Sequence, residues 1–124
     1  MSTRTPLARV EGLGAAHSGA GHFWRQRVTA AALVPLAIWF VCSALALIGG
    51  DRSGAVAFLK EPFHAVMMAL FIIAACIHMS LGVQVVIEDY IHRESSKIVL
   101  LVLNQFFAWI VAATALFALI KIVL

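Results

Sequence analysis

Three observations on the 124-residue sequence predict an all-α membrane protein with three transmembrane helices. Hydrophobic residues make up 63% of the chain and charged residues 12%, far from the balance of an average water-soluble domain. The stretches Val28–Gly50, Phe63–Ile87 and Ile98–Ile120 contain no Asp, Glu, Lys or Arg. Each exceeds the roughly 20 residues a helix needs to cross about 30 Å of hydrocarbon. Strands are excluded, because barrel strands are shorter alternating segments and three of them could not close a barrel. Residues 1–124 therefore form one membrane domain.

Taken in chain order, residues 1–21 are rich in Ser, Thr, Gly and Ala and have no core of their own, which predicts a mobile or partner-bound lead-in. The first helix is expected over about 25–49, bent at Pro35, where a backbone hydrogen bond is lost. Its length, and the lack of an A-x-A site behind it, argue against a cleavable signal peptide. The loop "GGDRSGAVAFLKEP" carries turn signals at Gly49, Gly50 and Gly54 and a helix restart at Pro62. The second helix is expected over about 62–90 and the third over about 97–122. Small residues at Ala30, Ala31 and Ala32 in the first helix, and at Ala74, Ala75 and Gly82 in the second, suit close packing in lipid. Asn104 and Gln105 read as helix-packing groups, and Trp24 as an interfacial anchor.

The net charge of +3 sits in the flanks of these helices. Arg4, Arg9, Arg25 and Arg27 precede the first helix, and Arg93 and Lys97 lie between the second and third. Only Arg52, Lys60 and Lys121 lie at the opposite ends. The positive-inside rule therefore puts the N-terminus and the second loop on the cytoplasmic side. No block of like charge and no basic–aromatic interleaving points to nucleic acid. Cys42 and Cys76 lie within apolar runs at no motif spacing, so they read as packing residues, not as a disulfide or metal pair.

The residue that calls for a reason is His78, a titratable side chain near the middle of the second helix. One reading is an interhelical hydrogen bond. The pattern around it supports a second. Asp89, eleven positions later, returns to within roughly 20° of His78 about 16 Å along the axis, and Phe71, Ala75, Gly82 and Val85 share the stripe. Helical side chains lean toward the N-terminus, so His78 projects over Ala74 and Ala75, where small residues leave room for a flat group such as a porphyrin. A desolvated, neutral imidazole is a haem-iron ligand. His64 lies about 21 Å toward the outer side. Two residues past Pro62, it reads as a solvated interfacial histidine and not a second ligand. Asp89 and Tyr90 close the stripe at the cytoplasmic end, where a phenol beside a carboxylate suits a quinone carbonyl and its proton supply.

These residues resemble a known family, the small hydrophobic membrane anchor (cytochrome b small subunit) of succinate dehydrogenase, respiratory complex II. The match is a histidine, a glycine four later and Asp-Tyr eleven and twelve later, "HMSLGVQVVIEDY" from His78 to Tyr90. A second match is "GHFWRQRVTA" ahead of the first helix. The resemblance implies a membrane-anchor domain that packs with a second three-helix anchor subunit around one shared haem b, with His78 as one axial ligand to the iron. It implies that Tyr90 hydrogen-bonds ubiquinone, with Asp89 in the proton path, and that His22 and Arg27 approach the haem propionates or the quinone pocket. Arg27 fits that role better, since a guanidinium pairs bidentately with a carboxylate.

The expected function is thus the membrane anchor of a succinate:ubiquinone oxidoreductase, part of an enzyme but not a catalyst alone. FAD and the iron–sulfur clusters would sit in a flavoprotein subunit and an iron–sulfur subunit, since this chain has no G-x-G-x-x-G fingerprint and no cysteine cluster. Two alternatives stay open: the anchor of a quinol-fumarate reductase, and a non-redox membrane scaffold subunit. The lack of an Arg- and Ser-rich presequence favours a bacterial inner membrane over a mitochondrial one.

Overall fold

The computed structural model describes residues 16–124, which contain four α-helices and no strand. They are α1 (Ala16–Leu47), α2 (Arg52–Lys60), α3 (Pro62–Tyr90) and α4 (Glu94–Val123). By length and composition α1, α3 and α4 are each able to cross a membrane. Residues 1–15, and with them most of the lead-in segment, lie outside the described residues.

Two features depart from the sequence reading. First, α1 begins at Ala16, ahead of the charge-free run. The ladder extends upstream because each added turn gains a backbone hydrogen bond once a nucleus exists. Second, the loop after α1 is itself largely helical. Gly49 takes a φ of 85°, the left-handed conformation that ends a helix, and the Gly50 N–H donates to the Leu47 carbonyl at 3.1 Å. Asp51 then caps α2, accepting from the Gly54 N–H at 2.9 Å and the Ser53 hydroxyl at 2.8 Å. These bonds hold its carboxyl below the ordinary carboxylate range. Glu61 is extended, as a residue before proline prefers, and Pro62 opens α3.

Only Ile91, His92 and Arg93 separate α3 from α4, which makes the two an antiparallel pair. The helix α3 is the central element, with α1 packed along one side and α4 along the other. Its partners on α1 fall in number as α3 ascends: Phe71 stacks on Phe40 at 4.8 Å, His78 meets Thr29, and Gly82 faces Gln26. On the other side Asn104 of α4 donates to the carbonyl of Ser80 at 2.9 Å, the buried polar residue of α3. Asn104 is thus the packing group expected of it, whereas Gln105 is exposed.

Burial is shallow. Among the described residues only Leu36, Leu81, Ile87, Ala108 and Leu119 form a buried apolar set, while Phe106, Phe107, Trp109 and Phe117 lie open along α4. A row of three helices has little interior, and lipid or other helices must cover the rest. Of the small residues on α1, Ala30 turns toward α3 while Ala31 and Ala32 face outward. Both cysteines are free thiols.

Candidate functional site

The stripe read from the sequence is the face of α3 that packs on α1. Phe71, His78, Gly82 and Val85 all point into the α1–α3 seam. Within it the imidazole Nδ1 of His78 lies 3.2 Å from the hydroxyl of Thr29, so the interhelical hydrogen bond of the plainer reading exists. It occupies one ring nitrogen. Nε2 makes no hydrogen bond among the described residues and is not sealed within the protein. One imidazole can therefore hold a helix pair together and still keep a nitrogen free of any hydrogen bond among the described residues.

Toward the Arg-rich end the seam opens into a cleft of about 750 Å³. His22, Phe23, Gln26, Arg27 and Ala30 line it from α1, and Gln84, Val85 and Glu88 from α3. Gly82 faces the Gln26 side chain across the seam, where a Cβ would stand 3.9 Å away in ordinary contact. Two buried polar atoms in this wall, Nε2 of His22 and Oε1 of Gln26, have no hydrogen-bond partner among the described residues. Such atoms are costly unless something polar meets them. Arg27 lays its guanidinium over the Phe23 ring, 4.6 Å from the centroid, which steers the cation to the cleft rim. Gln84 donates to Glu88 at 2.8 Å along the opposite wall.

These features test whether a b-type haem suits the chain. A single nitrogen without a hydrogen bond among the described residues fits an axial ligand, and metal-bound histidines usually have their other ring nitrogen held by a hydrogen bond, as Nδ1 is here. Arg27, and Nε2 of His22 where it carries the ring N–H, can donate to an acidic edge, whereas Oε1 of Gln26 only accepts and calls for a donor. Among the described residues no three His, Cys, Asp or Glu side chains converge as a protein-only metal site would require. The donor set fits a group held by one axial bond from this chain.

The remaining site candidates are placed differently. His22 and Arg27 share the cleft, but Asp89 and Tyr90 do not line it. Tyr90 is 75% exposed at the last residue of α3, with Asp89 exposed beside it. His64 corrects an expectation: it is half-buried, stacked on Phe58 with centroids 3.7 Å apart and flanked by Trp39 at 6.0 Å. The missed helix α2 supplies Phe58 and so turns a position expected to be solvated into an aromatic stack. Thr29 and Gln26 escaped the sequence reading altogether. Their polarity at the start of an apolar run was the available signal, but nothing in the sequence gives the axial offset that sets Thr29 against His78.

The chain matches the family described as succinate dehydrogenase/fumarate reductase transmembrane subunit over residues 1–112. It is 34% identical over 117 residues to the succinate dehydrogenase hydrophobic membrane anchor subunit of Paracoccus denitrificans, covering 94% of this chain and 90% of that one. The protein of the same description from Rickettsia bellii is 31% identical over 105 residues, covering 85% of this chain and 84% of its own length. The succinate dehydrogenase membrane anchor subunit of Reclinomonas americana is 33% identical over 85 residues, covering 66% and 71%. No solved structure matches the chain.

Proposed function

Because the chain belongs to the succinate dehydrogenase/fumarate reductase transmembrane subunit family, we propose that it is the membrane anchor of a succinate:ubiquinone oxidoreductase. In this reading it assembles in a bacterial inner membrane with a second anchor subunit, a flavoprotein subunit and an iron–sulfur subunit. The proposal places the N-terminus in the cytoplasm, so that the cleft and the α3–α4 turn face the soluble subunits.

The observation that supports the haem assignment is the Nε2 of His78, without a hydrogen bond among the described residues while Nδ1 contacts Thr29 near the middle of α3. His78 would be one axial ligand of a haem b shared with the second anchor subunit, which supplies the other. Arg27, with His22 beside it, would bind the propionates at the cleft. The haem, when bound, would supply a one-electron redox centre. Every other task falls to the chain's own side chains. Tyr90 donates its phenolic O–H to a quinone carbonyl, and Asp89 passes protons inward as the quinone takes up two electrons and two protons. Both side chains stand open at the end of α3, where a partner subunit would close the site around them.

The test is purification in mild detergent. Co-purification of a flavoprotein and an iron–sulfur protein, with a b-type band in the reduced-minus-oxidised spectrum and succinate-driven quinone reduction, is the expected result. A stable assembly with neither flavin nor haem would overturn the reading in favour of a scaffold.

A further inference from the structure

The geometry points to Thr29 as the positioning residue of the haem ligand: its hydroxyl fixes His78 as the Nδ1–H tautomer and so keeps the Nε2 lone pair for iron. This rests on the haem reading above and deepens it.

The argument turns on one proton. The Thr29 Oγ1 lies 2.8 Å from the Arg25 carbonyl and 3.1 Å from the Gln26 carbonyl of its own helix. A carbonyl oxygen only accepts, so the single hydroxyl proton points at this pair, the usual back-bonding of threonine in an apolar helix. The third contact, 3.2 Å to Nδ1 of His78, then has no proton left to come from the hydroxyl. It must come from the ring: Nδ1–H donates and Oγ1 accepts. A neutral imidazole carries one N–H, so Nε2 holds the lone pair.

The chain Nδ1–H to Oγ1–H to Arg25 carbonyl has two consequences. It fixes the ring plane as well as the tautomer, because a flipped ring would leave an N–H unpaired in the seam. It also polarises the imidazole, since a hydroxyl that donates to a carbonyl is a better acceptor, and electron density at Nε2 rises. An axial ligand of greater electron donation favours the ferric state.

The experiment compares Thr29→Val and Thr29→Ser in the assembled complex, read by haem content, redox titration of the haem and the g-values of its low-spin ferric signal. Val keeps the branched shape and removes the acceptor, so the haem midpoint should move positive and the largest g-value should shift. Haem affinity should fall by about tenfold or more, the loss seen when such partners are removed. Ser keeps the hydroxyl and should return all three readouts to wild type. A Thr29→Val complex with unchanged potential and g-values overturns the assignment while leaving His78 as ligand. A Thr29→Ser complex that shares the Val shift overturns it too. Should Thr29→Val not assemble, Thr29→Ala is read in the same way, and failure of both assigns the hydroxyl to packing alone and overturns the assignment. Absence of haem from the wild-type complex removes the haem reading itself.

Discussion

Tyr90 and His78 lie on one helix about 18 Å apart along its axis, yet their surroundings differ sharply. His78 is half-buried against α1 and tied to Thr29, whereas Tyr90 is open. A side chain that waits for a partner to enclose it should show its worth only in the assembled complex. Tyr90→Phe removes one hydrogen bond and keeps the ring, so quinone reductase efficiency should fall by about tenfold to a hundredfold, or about 1–3 kcal/mol. Succinate oxidation with a dye that accepts electrons upstream of quinone should be unchanged. Wild-type quinone kinetics in that variant would reduce Tyr90 to an interfacial anchor. Asp89→Asn should slow the same step, increasingly as pH rises and protons become scarce, because an amide cannot relay a proton; a flat ratio to wild type across pH removes Asp89 from the path. His78, Gly82, Asp89 and Tyr90 were legible as a spacing because all four sit on one helix, where 100° per residue fixes relative direction. Thr29 and Gln26 were not, because their place in the site depends on how far one helix slides along another.

The helices themselves divide by the kind of signal that marks them. Long charge-free runs made α1, α3 and α4 legible, and Pro62 marked the first turn of α3. The upstream turns of α1 were hidden because "AHSGAGH" combines weak helix formers with two glycines. The short α2 reads as loop in the sequence because Gly54 joins Gly49 and Gly50 as a turn signal. In the structure Gly54, with Ser53, serves instead the first turn of a helix capped by Asp51. Asp51→Ala should therefore leave α1, α3 and α4 protected while the amides of α2 exchange faster in hydrogen–deuterium exchange; unaltered protection would deny the cap its role. The same helix should loosen in acid. A carboxyl whose folded value is lowered contributes above the ordinary carboxylate range, and the contribution is lost as pH falls through the lowered value. Between α3 and α4, Asn104→Leu removes the bond to Ser80 and should cost about 0.6–1.7 kcal/mol in a detergent unfolding titration. A more stable variant would mean that apolar packing outweighs the polar contact there.

As a whole the chain is a single row of helices with α3 at its centre, and few of its described side chains are buried. Such a shape suits a component: its α1–α3 seam carries the polar groups, while α4 presents aromatic side chains outward. The proposed ligation through a single histidine of this chain also sets a stoichiometry. The aromatic stack around His64 at the far end leaves that residue against Phe58, so one haem per complex is expected by pyridine haemochrome assay, and two would bring His64 back as a ligand. The most direct test of the central claim is the reduced-minus-oxidised optical and low-temperature EPR spectrum of the purified complex carrying His78→Ala. The account predicts loss of the low-spin bis-histidine signature, or of the haem altogether, in a complex that still oxidises succinate with an upstream dye. An unchanged low-spin spectrum in that variant would contradict it.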